Sequence, residues 1–119
     1  MRLYVAGPMR GYKDFNFPEF HRVTEALRAH GHEVFNPAER DEQKYGAAVC
    51  HSQTGSLADV ASTGFSLREA MAFDLSWICL HADGIALLDG WSLSSGAKAE
   101  VAAGSALGID HKPWKEWIK

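Results

Sequence analysis

The chain has 119 residues, is 46% apolar and 23% charged, and carries a formal net charge of −3. That length suits one domain with a proper core. The charge balance leaves no dominant basic face, which excludes general nucleic-acid binding. No apolar run approaches the roughly 20 residues that a membrane-spanning helix needs. Cys50 and Cys79 are the only cysteines. At that separation they make no zinc site, and with no targeting segment ahead of the first strand a reducing cytoplasm without disulfides is expected.

In chain order, Leu3 to Ala6 is a short apolar run closed by Gly7-Pro8, which reads as a buried first strand and a loop. Asn16 to Gly31 reads as a helix. Pro18 suits its first turn, Phe20, Val23 and Leu27 share one face, and Gly31 stops it. Glu33 to Phe35 is a second strand closed by Asn36-Pro37. From about Ala38 to Gly64 the residues are small and polar with little periodicity. This stretch reads as a mobile loop, at about 42–64, with room for one short helix.

Ser66-Leu67-Arg68-Glu69 has the pattern of a capping box. The helix it opens carries Leu67, Met71 and Trp77-Ile78 as an inward stripe and ends at Asp83-Gly84. Ile85 to Leu88 is a third strand, Ser95 to Leu107 a helix stopped by Gly108, and Ile109 to Lys112 a short fourth strand. Trp114 to Lys119 is a last turn or tail.

The order β-α-β-loop-α-β-α-β predicts an α/β single-domain three-layer sandwich with a central parallel sheet, of the Rossmann or flavodoxin kind. Ligands of such folds sit beyond the carboxyl ends of the strands. That rule gathers the loop after strand one, the loop after strand two and the loop Trp91–Ser95. There is no repeat, no linker, no G-x-G-x-x-G and no P-loop.

Glu100 stands five residues into the last long helix, near the loop that precedes it. A carboxylate there can serve as nucleophile at a sugar carbon or as general base; the plain alternative is a surface glutamate. Ser94, Ser95 and Gly96 offer hydroxyls and free N–H groups at a helix start, which suits a phosphate or simply a cap. Gly7-Pro8-Met9-Arg10-Gly11 follows strand one. There glycine permits close approach to a ligand and Arg10 offers a forked contact to phosphate; the alternative is a tight turn with a solvated arginine. Tyr4 places a hydroxyl near the strand ends, or packs in the core. Asp74 shares a helix face with Met71 and Ile78. An acid there needs work or a partner, and burial would raise its pKa, as a proton donor requires. Trp91 is placed to stack on a base, or to pack. The six histidines show no metal spacing, and no metal site is expected.

Tyr4-Val5-Ala6-Gly7-Pro8-Met9-Arg10-Gly11, Asn16-Phe17-Pro18-Glu19-Phe20, His32 through Glu39, Asp83 through Trp91 and Ser95 through Glu100 together resemble the nucleoside 2-deoxyribosyltransferase-like superfamily. The nearest likeness is to the branch called domain of unknown function 4406. The likeness covers nearly all the chain outside about Glu42 to Ser66. It implies a parallel α/β sandwich that cleaves the N-glycosidic bond of nucleosides or nucleoside monophosphates. It implies Glu100 as the nucleophile, Tyr4 as the group that orients it, and Asp74 as the acid that helps protonate the departing base. Arg10 and Ser94 resemble phosphate contacts, which favours a monophosphate. The resemblance further implies a retaining mechanism, no cofactor, and a homodimer or larger homo-oligomer whose neighbouring subunit completes the site. The alternatives are a nucleoside deoxyribosyltransferase, a non-catalytic nucleotide-binding module that uses the same loops, and a plain interaction protein.

Overall fold

A computed structural model describes residues 1–119. Its centre is a four-stranded, all-parallel sheet: β1 (Arg2–Ala6), β2 (Glu33–Phe35), β3 (Gly84–Leu87) and β4 (Asp110–Pro113), in spatial order β2-β1-β3-β4. Four α-helices surround it: α1 (Phe17–Ala29), α2 (Pro37–Tyr45), α3 (Leu67–His81) and α4 (Ser95–Ala106). The expected parallel sandwich is therefore present, with strand ends within a residue of the positions read from sequence.

The sheet is buried on both faces because its side chains alternate between two cores. Leu3 and Val5 of β1 and Ala86 of β3 face one way, into a cluster with Phe17, Phe20, Val23 and Leu27 of α1. Tyr4, Ala6, Ile85 and Leu87 face the other way, against Ile78 of α3 and Ala97 and Val101 of α4. The chain steps from β1 outward to β2, then returns past β1 to β3. Right-handed crossovers in opposite directions put α1 on one face and α3 and α4 on the other. The reversal opens a crevice between the carboxyl ends of β1 and β3, where the loops Gly7–Tyr12 and Leu88–Ser94 diverge.

The stretch expected as a loop is more ordered than its sequence implies. It holds α2 and two short 3-10 segments, Ala47–Cys50 and Leu57–Thr63. Asn36-Pro37, read as the end of a strand, also starts α2: Asn36 caps it by accepting from the Ala38 N–H at 2.9 Å, and Pro37 takes the first turn. The stretch is pinned to the loop after β1. Gly11 N–H donates to the Gly55 carbonyl at 3.0 Å and Asp14 N–H to the Ser52 carbonyl at 2.6 Å. Ser66 caps α3 as expected, accepting from Glu69 N–H. The buried stripe of α3 differs from the expected one: Ala70, Asp74 and Ile78 are buried, while Leu67 is exposed.

The C-terminal segment Trp114–Ile118 packs as a short 3-10 turn rather than hanging as a tail. The Trp117 ring lies over Gly84, where an added Cβ would meet it at 2.4 Å. Gly84→Ala is therefore expected to cost about 1–3 kcal/mol by overpacking. For a domain this small each kcal/mol lowers Tm by about 4–8 °C. Thermal unfolding followed by circular dichroism checks this; an unchanged Tm would show that the indole is not seated against the β3 backbone.

Candidate active site

One pocket opens at the β1/β3 crevice. Gly7, Met9 and Arg10 line it from the loop after β1, Asp74 from α3, and Ser94, Gly96 and Glu100 from α4 and its cap. Phe15, Phe17, Phe20, Val49, Val60 and Phe65 give it a mainly apolar wall. A second cleft with a lining of only six residues adjoins it: Pro8, Arg10, Tyr12, Leu93, Ser94 and Ser95. Arg10 and Ser94 belong to both.

Glu100 projects inward from the second turn of α4 and is only 8% exposed. Tyr4, on the sheet face that α4 covers, donates its hydroxyl to Glu100 Oε2 in a buried hydrogen bond. The Tyr4 ring is itself fixed. It stacks on Phe35 at 5.5 Å and 14°, and Phe35 stacks on Trp77 at 4.9 Å. Burial, and then the negative charge of Glu100, hold the Tyr4 phenol well above its usual pKa, so it stays a donor.

Two further carboxyls share the site. Asp74 is buried on α3 and Asp41 is buried on α2. Burial is the main cause that raises all three acids: Glu100 to about 8, Asp41 to about 7 and Asp74 to about 6. Neighbouring charge adds to this: Asp74 raises both Glu100 and Asp41, and Asp41 raises Glu100. The Tyr4 hydroxyl favours the ionised form of Glu100, and the Arg40 guanidinium favours that of Asp74 and Asp41. The cluster thus holds a proton near neutrality, mainly on Glu100, while Asp74 is the more ionised. Neighbouring carboxyls that exchange a proton near neutral pH suit acid–base or nucleophilic work.

The start of α4 faces the second cleft. Ser94 caps the helix, accepting from Ala97 N–H at 3.2 Å. The N–H groups of Ser95 and Gly96, in the first turn, have no acceptor within the helix. With the exposed Arg10, which shares the cleft with Ser94 and Ser95, they are donors that an anion could use. The cap reading of Ser94 holds, and capping leaves its place on the cleft wall open to a ligand.

Not every residue singled out from sequence meets the pocket. Trp91 lines neither cavity; its ring lies against His111, 6.2 Å away, and packs on the α3/α4 core. Gly11, at φ +88°, ties the loop to Gly55 instead of facing the pocket. Gly7 lines the pocket and is also pressed on Leu88, whose side chain a Cβ would meet at 2.7 Å. Asp41 and the aromatic wall at Phe15 and Phe65 are pocket residues that sequence reasoning passed over. The capped start of α2 at Asn36-Pro37 was the available signal for Asp41. No group of three or more His, Cys, Asp or Glu side chains is arranged to hold a metal ion. No helix is long and apolar enough to cross a membrane.

A family model described as "Domain of unknown function (DUF4406)" matches residues 1–111. No curated protein and no solved structure matches the chain.

The raised acids set a pH dependence of stability. Between an ordinary carboxylate pKa of about 4 and the folded values of about 6 to 8, the folded chain binds more protons than the unfolded one. Stability is then greatest at the acid end of that window and falls as pH rises through it. Tm measured from pH 5 to pH 8.5 is expected to decrease. Glu100→Gln should flatten the slope and raise Tm at the alkaline end. A Tm that climbs with pH in the wild type would remove the buried-acid cluster from the account.

Proposed function

From the premise that the chain belongs to the DUF4406 family, we propose that it cleaves the N-glycosidic bond of a (deoxy)nucleoside 5′-monophosphate through a glycosyl ester on Glu100. The observation that carries this reading is the seat of Glu100: buried, gripped by the Tyr4 hydroxyl, and in one pocket with Asp74. The resemblance to the nucleoside 2-deoxyribosyltransferase-like superfamily gives those three residues the same roles.

The steps balance as follows. A carboxylate oxygen of Glu100 bonds to C1′ as the C1′–N bond breaks. The base nitrogen takes its proton from Asp74 and leaves as free base. Water then attacks C1′, gives a proton to Asp74, and the C1′–O bond to Glu100 breaks. Two displacements at one carbon retain its configuration. Hydrolysis is the favoured outcome; a second base in place of water would give transfer. The reaction needs neither metal nor organic cofactor, because the nucleophile is a carboxylate and the leaving group departs protonated.

The 5′-phosphate is assigned to the second cleft, where Arg10 supplies a forked cation and the first turn of α4 supplies N–H donors. Sharing of Arg10 and Ser94 between the two cavities supports one ligand that spans both. A homodimer or larger assembly belongs to the same reading. Phe73 and Leu80, exposed apolar residues on α3, support it.

The reactive form, with Glu100 ionised and Asp74 protonated, is the minor singly protonated form near neutrality, because Glu100 keeps its proton to about 8 and Asp74 only to about 6. Chromatography of a panel of nucleosides and nucleotides, with and without an acceptor base, is expected to show free base from a 5′-monophosphate. Its rate should be bell-shaped in pH with limbs near 6 and 8. Glu100→Ala should lower kcat by about 10³-fold or more. If that variant releases base as fast as the wild type, the nucleophile is elsewhere.

A further inference from the structure

The glycosidic steps use two of the pocket's three acids, and Asp41 is left over. It sits on the inner face of α2, is 4% exposed and lines the pocket. Its Oδ1 has no hydrogen-bond partner, and its cationic neighbour Arg40 stands 3.8 Å away. Arg40 Nη1 forms an ion pair with it beyond hydrogen-bond distance, while the guanidinium also lies 4.2 Å from the centre of the Phe73 ring and does not line the pocket. A buried acceptor without a hydrogen bond is costly in a folded chain. One that opens onto a cavity wall has a simple use: a donor on the molecule that fills the cavity.

The surroundings narrow what that molecule presents. Phosphate is assigned to the end of the site that Arg10 and Ser94 share with the second cleft, and the sugar to Glu100. The remaining wall, with Val49, Val60 and Phe65, comes from the segments that follow α2 and is apolar. A flat heteroaromatic ring fits such a wall, and Asp41 is the polar group that α2 adds to it.

We propose that Asp41 reads the nucleobase by accepting a hydrogen bond from its exocyclic amino group, making the ligand a cytosine, adenine or guanine nucleotide. The inference rests on the nucleotide reading of the pocket. An ionised carboxylate only accepts. An amino group meets it with N–H, whereas the oxo group of uracil or hypoxanthine at the same place sets lone pair against lone pair. Acidic side chains accept from the amino group of cytosine in DNA for the same reason. Burial strengthens the discrimination of the ionised form because a mismatch in a dry site finds no water to relieve it. Since burial also raises Asp41 to about 7 and the neutral acid can donate to an oxo group, the discrimination is read at pH 8 or above.

Calorimetric titration at pH 8 tests this with three matched pairs, cytidine against uridine, adenosine against inosine and guanosine against inosine 5′-monophosphate, in both ribo and deoxy forms. A Glu100→Gln background keeps the nucleotides intact. The amino member of at least one pair is expected to bind about 10- to 100-fold tighter. Asp41→Asn, whose amide both donates and accepts, should shrink that preference to within about 3-fold. Equal binding within each pair, or a preference that survives Asp41→Asn, overturns the role of Asp41 whatever the turnover. Base release by the wild-type protein is measured in parallel. An Asp41-dependent amino preference without base release supports Asp41 and overturns the glycosidase reading. No binding of any nucleotide overturns both.

Discussion

The buried hydrogen bond from the Tyr4 hydroxyl to Glu100 joins the first strand to the last long helix across 96 residues of chain. It forms only if the sheet places β1 beside β3, if alternation turns Tyr4 toward α4, and if α4 starts where Ser94 caps it. Each condition is a property of the fold. The bond is thus the point at which topology becomes chemistry. It also selects one orientation of a carboxylate that would otherwise turn freely in an apolar pocket. The stacked rings of Phe35 and Trp77 prevent Tyr4 from moving away.

The site opposes the stability of the chain that carries it. Three acids lose hydration together, and Asp41 and Asp74 each retain an unpaired oxygen. Nearby, Asp14, Phe15 and Asn16 lie in succession at φ 51°, 52° and 63°. A left-handed residue with a side chain costs about 1–2 kcal/mol, so three in a row persist only because surrounding contacts fix them. The bonds from Gly11 and Asp14 to the segment at Ser52–Gly55 supply that hold. The turn sets Phe15 into the pocket wall. Strain and desolvation thus meet at this crevice.

Much of this was legible in the sequence. β1, β3 and α1 carry apolar patterns that only burial explains, and their order dictates a parallel sheet. Glu100 stands out as the acid of an alanine-rich helix, and Asp74 as an acid on the face that Met71 and Ile78 share. What stayed hidden was α2. Its sequence, Pro-Ala-Glu-Arg-Asp-Glu-Gln-Lys-Tyr, is almost wholly polar, and its buried face is Pro37, Ala38 and Asp41. A helix whose inward side chain is an aspartate has no hydrophobic stripe to read. Asp41 was missed for the reason that makes it informative: it faces a cavity, not a core. Trp91 misled in the other sense. Its neighbours in sequence belong to the site, but its ring turns to His111.

The central claim is that Glu100 becomes covalently bonded to the sugar. Peptide mass spectrometry after acid quench, with a slow 2′-fluoro nucleoside monophosphate, reads that bond directly. The account predicts a glycosyl-phosphate increment on the tryptic peptide Ala99–Lys115, with fragment ions placing it on Glu100 rather than Asp110. Released base with no increment on that peptide, or an increment on another residue, would contradict it.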